Sequence, residues 1–152
     1  PLTYLINKSL VQGKFPSSLK QSRIFPKHKS GSKTDIANFR PISNISTFAK
    51  IFEKIVLSQL MSHLKNHSLI TNNQHGFLEG RSTITALTDI TEYIIDQLED
   101  SNYVSAILLD YSKAFDCLGH ELILQKLESL GVAHRELDWF KTYLIGRTQR
   151  VE

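Results

Sequence analysis

Apolar residues recur at helical spacing along much of the chain, and this pattern predicts a series of amphipathic helices. Gly13 can end the first of them, and Gly131 and Gly146 can close the last two. Ser46 and Ser82 can each cap a helix between these by accepting a backbone hydrogen bond. The apolar positions of the helices after the first are Phe48, Ile51, Phe52, Ile55, Leu60, Leu64, Leu87, Ile90, Ile94, Leu98, Ile123, Leu124, Leu127, Leu130, Leu137, Phe140 and Leu144.

Strand and turn signals lie between the helical stretches. Pro26 and a glycine turn forbid a helix in SRIFPKHKSGSK, which predicts a short strand or hairpin arm. Pro41 pushes Arg40 toward an extended conformation, so the arginine should stand out from a strand or loop. YVSAILLD, at residues 103–110, is short and almost uniformly apolar, which predicts a strand buried on both faces. RTQRVE begins another strand, and the alternating elements predict an α/β (α+β) fold.

Asp110, which ends the apolar run, is the strongest candidate for chemistry. A buried carboxylate is costly unless a partner or a metal compensates it. Open sheets place ligands beyond the carboxyl ends of central strands, and carboxylates there commonly hold Mg2+. One alternative is an aspartate that only caps the following turn. A Walker B strand is excluded, because SGSKT lacks both the spacing and the Gly-Lys pair of a P-loop.

The net charge of +3 hides an uneven distribution. Residues 1–54 carry ten Lys and Arg against Asp35 and Glu53, a balance of +8, and residues 55–152 have a balance of −5. A basic surface of this kind attracts nucleic acid, nucleotides or an anionic membrane surface. The alternative is a basic face that serves only solubility. The acidic stripe that includes Asp89 on the predicted helix after Ser82 is most simply solvated.

Several other site classes find little support. Cys117 is the only cysteine, so an internal disulfide and a cysteine-rich zinc site are excluded, and a reducing compartment is favoured. No apolar run is long enough to span a membrane. His63 and His67 have helical i, i+4 spacing but no accompanying zinc ligands, which favours a surface pair. HELIL at His120 lacks the second histidine of a zinc-binding H-E-x-x-H motif.

Four segments together resemble, in order and spacing, the reverse transcriptase domain of non-LTR retrotransposons of the jockey kind. They are FPKHKSG…NFRPISN, QHGFLEGRST, AILLDYSKAFDCLGHELILQKLESLG and WFKTYLIGRTQRV. The resemblance implies a right-hand polymerase fold, with fingers at residues 1–102 and the first part of the palm at residues 103–152. It also implies an RNA-directed DNA polymerase that uses an RNA template, a DNA primer and dNTPs. Such an enzyme would need no membrane and would act inside the cell, on chromosomal DNA in the nucleus.

The resemblance implies roles for the residues around Asp110. Asp110 matches one of the carboxylates that hold two Mg2+ ions for nucleotidyl transfer. Tyr111 would offer a backbone carbonyl to the metal and a backbone amide to the triphosphate. Phe115 matches the aromatic residue that excludes a ribose 2′-hydroxyl, although a plain core phenylalanine is the alternative. Lys27 and Arg40 match the fingers residues that close on the incoming triphosphate.

The resemblance extends to two further segments with less direct roles. Gln74, Gly76 and Phe77 match a Q-x-G-F segment near the template and the nucleotide, where glycine permits close approach. Phe77 could instead only anchor its loop. In the C-terminal segment Arg147 is a candidate contact to the template-primer backbone. The remaining matches, which we expect to be architectural, are Asp116, Trp139 and Gln149.

Two motifs of the family do not occur in these residues. The Y-x-D-D turn, which carries the second carboxylate donor, and the P-Q-G-S segment before it are both absent from the sequence. We therefore expect the 152-residue chain alone to lack polymerase activity, because its two-metal site is incomplete. The alternative function is a non-catalytic nucleic-acid-binding remnant of a decayed mobile element.

Overall fold

The computed structural model of the chain describes residues 1–111, 114–115 and 117–151, so Asp116 lies outside the described residues. It contains the helices α1 to α5 and the strands β1 to β3, with 3-10 turns at Ser17–Leu19 and Ile36–Asn38. In chain order the elements are α1 (Leu2–Gln12), β1 (Gln21–His28), β2 (Phe39–Asn44), α2 (Thr47–Asn66), α3 (Thr83–Glu99), α4 (His120–Ser129), α5 (His134–Leu144) and β3 (Thr148–Val151). This mixture of helices and strands confirms the predicted α/β class.

The described chain divides into two compact units. The first unit combines residues 1–63 with the C-terminal stretch that begins at Cys117, and the second unit contains residues 64–116. All three strands belong to the first unit, where they form one sheet in the order β2-β1-β3. β1 pairs antiparallel with β2 and parallel with β3, where Gln21 lies opposite Thr148. The strands predicted around SRIFPKHKSGSK and RTQRVE are therefore confirmed.

Aromatic rings form the core of the first unit. Phe15 packs edge-to-face against Phe52, Trp139 and Tyr143, with ring centroids 5.9, 5.4 and 5.1 Å away. Trp139 is only 3% exposed, and its indole Nε1 donates a hydrogen bond to Ser9 Oγ at 3.0 Å. Buried indole N–H groups need such a partner, so this contact ties α5 to α1 as well as burying the ring.

Local capping signals place the helix ends as predicted. Gly13 follows α1 with φ 61°, and a Cβ there would come within 2.7 Å of the Arg135 carbonyl oxygen. Glycine is therefore required both by the left-handed backbone and by the close approach of α5. Ser46 Oγ accepts from the Phe48 amide at 3.2 Å, and Ser82 forms a reciprocal capping box with Thr85 at the start of α3.

The prediction of a buried strand at residues 103–110 is wrong for this structure. The segment forms no strand, and its apolar side chains are exposed, with Leu108 at 93%. An apolar run becomes a strand only if neighbouring strands satisfy its backbone groups, and within the described residues the sheet contains only β2, β1 and β3. Asp110 consequently follows a segment without regular secondary structure and does not end a sheet strand.

The apolar stripe of α3 also lies open. The helix forms over Thr83–Glu99 as its periodicity predicts, but none of its residues is buried. Leu87, Ile90 and Leu98 are among its exposed large apolar side chains. Periodicity therefore identifies the helix and its apolar face, whereas the partner for that face is not among the described residues of the second unit. No helix in the described part of the chain combines the length and apolar character needed to cross a bilayer.

Candidate nucleotide-binding and catalytic site

The hairpin of β1 and β2 places two predicted triphosphate ligands side by side. Lys27 lies directly opposite Arg40 in the antiparallel register, and both side chains are exposed. Directly paired residues project from the same face of a sheet, and two like charges in this position repel each other. Neither strand contains an acidic residue, and no described residue forms an ion pair with either cation. The pair therefore forms a positive site suited to an anion, with the fork of arginine beside the point charge of lysine.

Asp110 and Tyr111 are both exposed in the second unit. Within the described residues, no hydrogen bond or ion pair engages the Asp110 carboxylate, so its oxygens face solvent. A carboxylate oxygen and the adjacent Tyr111 backbone carbonyl are hard donors of the type that Mg2+ prefers. Among the described residues, no three metal-ligating side chains converge on one point. The donors present fit Mg2+ in kind but do not complete a site.

The Q-x-G-F segment forms an exposed loop in the second unit. Gln74 Nε2 donates to the Gly76 carbonyl oxygen at 3.3 Å, so two of the predicted residues are in direct contact. A Cβ added to Gly76 would meet no described atom within 4 Å, and the backbone φ there is not positive. Neither local crowding nor backbone conformation therefore requires glycine at this position.

Phe77 and Phe115 form an aromatic pair in the second unit. Their ring centroids lie 6.1 Å apart with an interplanar angle of 90°, the edge-to-face arrangement that aromatic rings prefer. Phe115 is 81% exposed and Phe77 is 90% exposed. The alternative that Phe115 is a plain core residue is therefore wrong for this structure, and Phe77 does not anchor its loop by burial.

His75 attaches this loop to α3, a role that the sequence pattern did not indicate. Its Nδ1 lies 2.9 Å from Thr85 Oγ1, and its Nε2 lies 3.1 Å from Asp89 Oδ2. Arg81 also approaches the Asp89 carboxylate, with NH1 3.6 Å from Oδ2. Asp89, assigned to a solvated stripe from the sequence, therefore has a defined structural contact. The spacing of Thr85 and Asp89, one helical turn apart, is the signal that could have identified this site.

Arg147, the predicted template-primer contact, lies against the core of the first unit. Its guanidinium stacks 4.6 Å from the Tyr143 ring centroid, and its NH2 is 3.9 Å from Glu53 Oε1. The Tyr143 hydroxyl donates to the same Glu53 oxygen at 2.8 Å. The pKa of Tyr143 is raised to about 12, mainly by burial of the phenol and to a smaller extent by the hydrogen bond to Glu53 and the negative charge of Glu53. The phenol therefore stays protonated. A contact between Arg147 and nucleic acid stays a prediction.

The two helical histidines occupy different environments. His63 is half-buried, and its Nε2 donates to the Leu130 carbonyl oxygen at 2.8 Å, whereas His67 is exposed. The expected surface pair is therefore wrong for His63, because α2 packs that side chain against the end of α4. A half-buried histidine that donates to a partly buried backbone carbonyl has a structural role.

Residues 25–152 match the sequence family described as reverse transcriptase (RNA-dependent DNA polymerase). The chain belongs to this reverse transcriptase family. The match includes every predicted site residue from Lys27 to Arg147. Reverse transcriptases generally use Mg2+, an RNA template and nucleotide substrates, in agreement with the chemistry expected from Asp110 and from the basic hairpin.

The individual relatives that the chain resembles are polymerases of mobile elements. It is 29% identical over 130 residues to the RNA-directed DNA polymerase from mobile element jockey of Drosophila melanogaster. From the same organism, the probable RNA-directed DNA polymerases from transposon BS and transposon X-element are each 28% identical to it, over 130 and 148 residues. These matches cover 85%, 85% and 96% of the chain but only 14%, 14% and 16% of the relatives. The resemblance to non-LTR retrotransposon polymerases is confirmed.

The open surroundings of Gly76 allow its role to be tested. Gly76→Ala should leave the free energy of unfolding within about 0.5 kcal/mol of wild type, as for surface substitutions. If template or nucleotide approaches the backbone here, the same methyl group should reduce reverse transcription by about tenfold, since one obstructed contact costs about 1.4 kcal/mol. Urea unfolding and primer extension on a polymerase containing this segment would measure the two effects.

Gly80→Ala is the matched control for this substitution. Gly80 lies in the same loop with equally open surroundings, but its φ is 77°. The control should therefore lose stability through backbone strain, whereas Gly76→Ala should lose activity at unchanged stability. Full activity of the Gly76→Ala variant would contradict a role in ligand approach.

Proposed function

We propose that the chain is the nucleotide-binding region of an RNA-directed DNA polymerase from a mobile element. The complete protein would extend a DNA primer on an RNA template by joining the primer 3′-hydroxyl to the α-phosphate of a dNTP, with release of pyrophosphate. Residues 1–102 would form fingers and residues 103–152 the first part of the palm. Its site of action would be chromosomal DNA in the nucleus.

The cross-strand pair of Lys27 and Arg40 is the observation that carries the proposal. Two exposed cations held directly opposite each other destabilise the hairpin unless an anion binds between them. A role in stabilising the fold therefore does not explain why both residues are basic. The dNTP triphosphate is the anion that this polymerase family must bind. Hydrogen bonds from both side chains would position the α-phosphate and neutralise charge that accumulates during transfer.

The remaining proposed roles fall on residues of the second unit. Asp110 and the Tyr111 carbonyl would hold Mg2+, which would activate the 3′-hydroxyl and stabilise charge on the phosphate oxygens when bound. The Tyr111 amide would donate to the triphosphate, and the Phe115 ring would occupy the space that a ribose 2′-hydroxyl needs. Gln74, Gly76 and Phe77 would lie along the template.

Lys27→Ala tests the triphosphate assignment. Because a hydrogen bond to a charged group contributes about 1.5–3 kcal/mol, KM for dNTP should rise by about 10- to 100-fold. Relief of the repulsion with Arg40 should at the same time leave the free energy of unfolding unchanged or raise it by up to about 1 kcal/mol. Steady-state primer extension and urea unfolding of the full-length polymerase would separate the two effects.

Lys33→Ala is the matched control, since it removes the same charge from an exposed residue outside the paired strands. The control should leave KM for dNTP close to wild type. An equal change in both variants would show that only general positive charge matters, and no change in either would reject the triphosphate site. A wild-type polymerase that binds RNA but never extends a primer would instead indicate the non-catalytic remnant.

A further inference from the structure

We propose that His75 is a positioning residue for sugar selection: it ties the Q-x-G-F loop to α3, and through Phe77 it sets the place of the Phe115 ring. This inference rests on the proposed function of Phe115 as the residue that excludes a ribose 2′-hydroxyl. It assigns to His75 and Phe77 a role in choosing dNTP over rNTP.

Both ring nitrogens of His75 are occupied by side chains of α3. The histidine side chain is only 11% exposed, between Thr85 Oγ1 at 2.9 Å and Asp89 Oδ2 at 3.1 Å. The Asp89 carboxylate accepts, so Nε2 carries a proton and donates to it. Thr85 Oγ1 is itself held by the capping box, in which the Ser82 amide donates to it at 2.9 Å. The histidine is thus attached to a fixed point at the start of α3.

The loop depends on this attachment. Phe77 has φ 61°, a left-handed conformation that non-glycine residues rarely adopt. Its side chain is 90% exposed, so burial does not hold the residue in this conformation. His75 lies two positions earlier in the same segment. Its side chain is largely buried, and both of its ring nitrogens contact polar side chains of α3. Such strained conformations persist only where surrounding contacts determine them, and His75 supplies those contacts.

Phe77 passes this constraint to Phe115. The edge-to-face contact, with ring centroids 6.1 Å apart, joins the loop to the Phe115 ring, which remains 81% exposed. Among the described residues, Phe77 is the aromatic neighbour of this exposed ring, so we expect the contact to influence the rotamer of Phe115. The Phe115 ring can exclude a 2′-hydroxyl only if it keeps a fixed position. Loss of the Phe77 contact should therefore increase rNTP incorporation more than it slows dNTP incorporation.

The decisive measurement is the ratio of kcat/KM for dNTP to kcat/KM for rNTP in the full-length polymerase that contains this segment. His75→Ala and Phe77→Ala should each lower this ratio by about two- to tenfold, the change expected when one aromatic contact is displaced. A residue with only a general structural role would reduce both kcat/KM values equally and leave the ratio unchanged. An unchanged ratio in both variants would overturn the proposal.

Asp89 offers a conservative pair of variants and a matched control. Asp89→Asn keeps an oxygen acceptor for His75 Nε2 and should keep the wild-type ratio, whereas Asp89→Ala removes the acceptor and should lower the ratio. Asp96→Ala removes the same charge from an exposed position of α3 and should have no effect. If Asp89→Ala and Asp96→Ala behave alike, the contact with His75 is irrelevant to sugar selection.

A double-mutant cycle tests whether Phe77 acts through Phe115. In a Phe115→Ala background, Phe77→Ala should not lower the ratio of the two kcat/KM values any further, because the ring that Phe77 contacts is already absent. Independent, additive losses would overturn this route of action.

Fluorine NMR separates this inference from the proposed function. A fluorinated phenylalanine at position 115 should report a changed ring environment after His75→Ala, whether or not the protein synthesises DNA. Absence of primer extension by the wild-type protein would reject the proposed function. An unmoved fluorine resonance would reject the positioning role of His75 independently.

Discussion

Asp110→Asn is expected to lower kcat of the full-length polymerase by about 10³-fold or more. Loss of one metal-holding carboxylate removes several kcal/mol of transition-state stabilisation, and each 1.36 kcal/mol is a factor of ten in rate. Because the side chain is exposed and no described residue pairs with it, the free energy of unfolding should stay within about 0.5 kcal/mol of wild type. Single-turnover primer extension at saturating dNTP, beside urea unfolding, would test both statements.

Asp100→Asn is the appropriate control. Asp100 is another exposed aspartate of the second unit, and it follows α3. The same change of charge there should leave kcat within about twofold, as for a surface substitution with small energetic effect. If the two variants lose activity equally, or if Asp110→Asn retains full activity, Asp110 is not a metal ligand in the reaction.

Trp139→Ala should cause the largest loss of stability, about 3–5 kcal/mol, as expected for an aromatic residue removed from a core. The indole packs against Phe15 and Tyr143, and its N–H donates to Ser9 Oγ. Truncation therefore leaves a cavity and removes the bond that Ser9 accepts, although the Ser9 hydroxyl still donates to the Lys14 carbonyl oxygen. Urea unfolding of the chain followed by circular dichroism would measure the loss.

Two further variants divide this effect into its parts. Trp139→Phe keeps most of the ring contacts and loses the bond to Ser9, so it should cost less, about 1–2 kcal/mol. Tyr103→Ala removes an aromatic side chain that is fully exposed and should cost about 0.5 kcal/mol or less. Equal stability losses for Trp139→Ala and Tyr103→Ala would contradict the described core.

Helix ends were predictable because their determinants are local. Gly13 adopts a left-handed backbone directly after α1, and Ser82 caps α3 through Thr85, only three positions away. Such motifs depend on a few neighbouring residues, so their physics is contained in a short stretch of sequence. The class of the fold followed from the same local signals.

Contacts between distant elements were not predictable in this way. Lys27 and Arg40 were identified separately as phosphate ligands, but their direct pairing depends on the register of the hairpin. His75 received no role from the sequence, because its partners Thr85 and Asp89 lie on a helix whose orientation toward the loop the sequence does not specify. Arg147 was equally ambiguous until the fold placed Glu53 beside it.

The apolar run before Asp110 shows the limit of hydrophobicity as a signal. Residues 103–110 have the composition of a buried strand, but their backbone has no ladder partner among the described residues. Burial of a strand is a property of its neighbours, and composition can only permit it. The structural setting of Asp110 was therefore predicted wrongly, while its role as a metal ligand stays a prediction.

The discontinuous first unit has a consequence for synthesis on the ribosome. Trp139 bonds to Ser9 across 130 residues, and Ser22 contacts Thr148 across 126 residues. At about 5–20 residues per second, the N-terminal part waits roughly 6 to 26 seconds in the nascent chain before these partners are made. We therefore expect Phe15 and the open edge of β1 to be accessible to chaperones during translation, until α5 and β3 have left the exit tunnel.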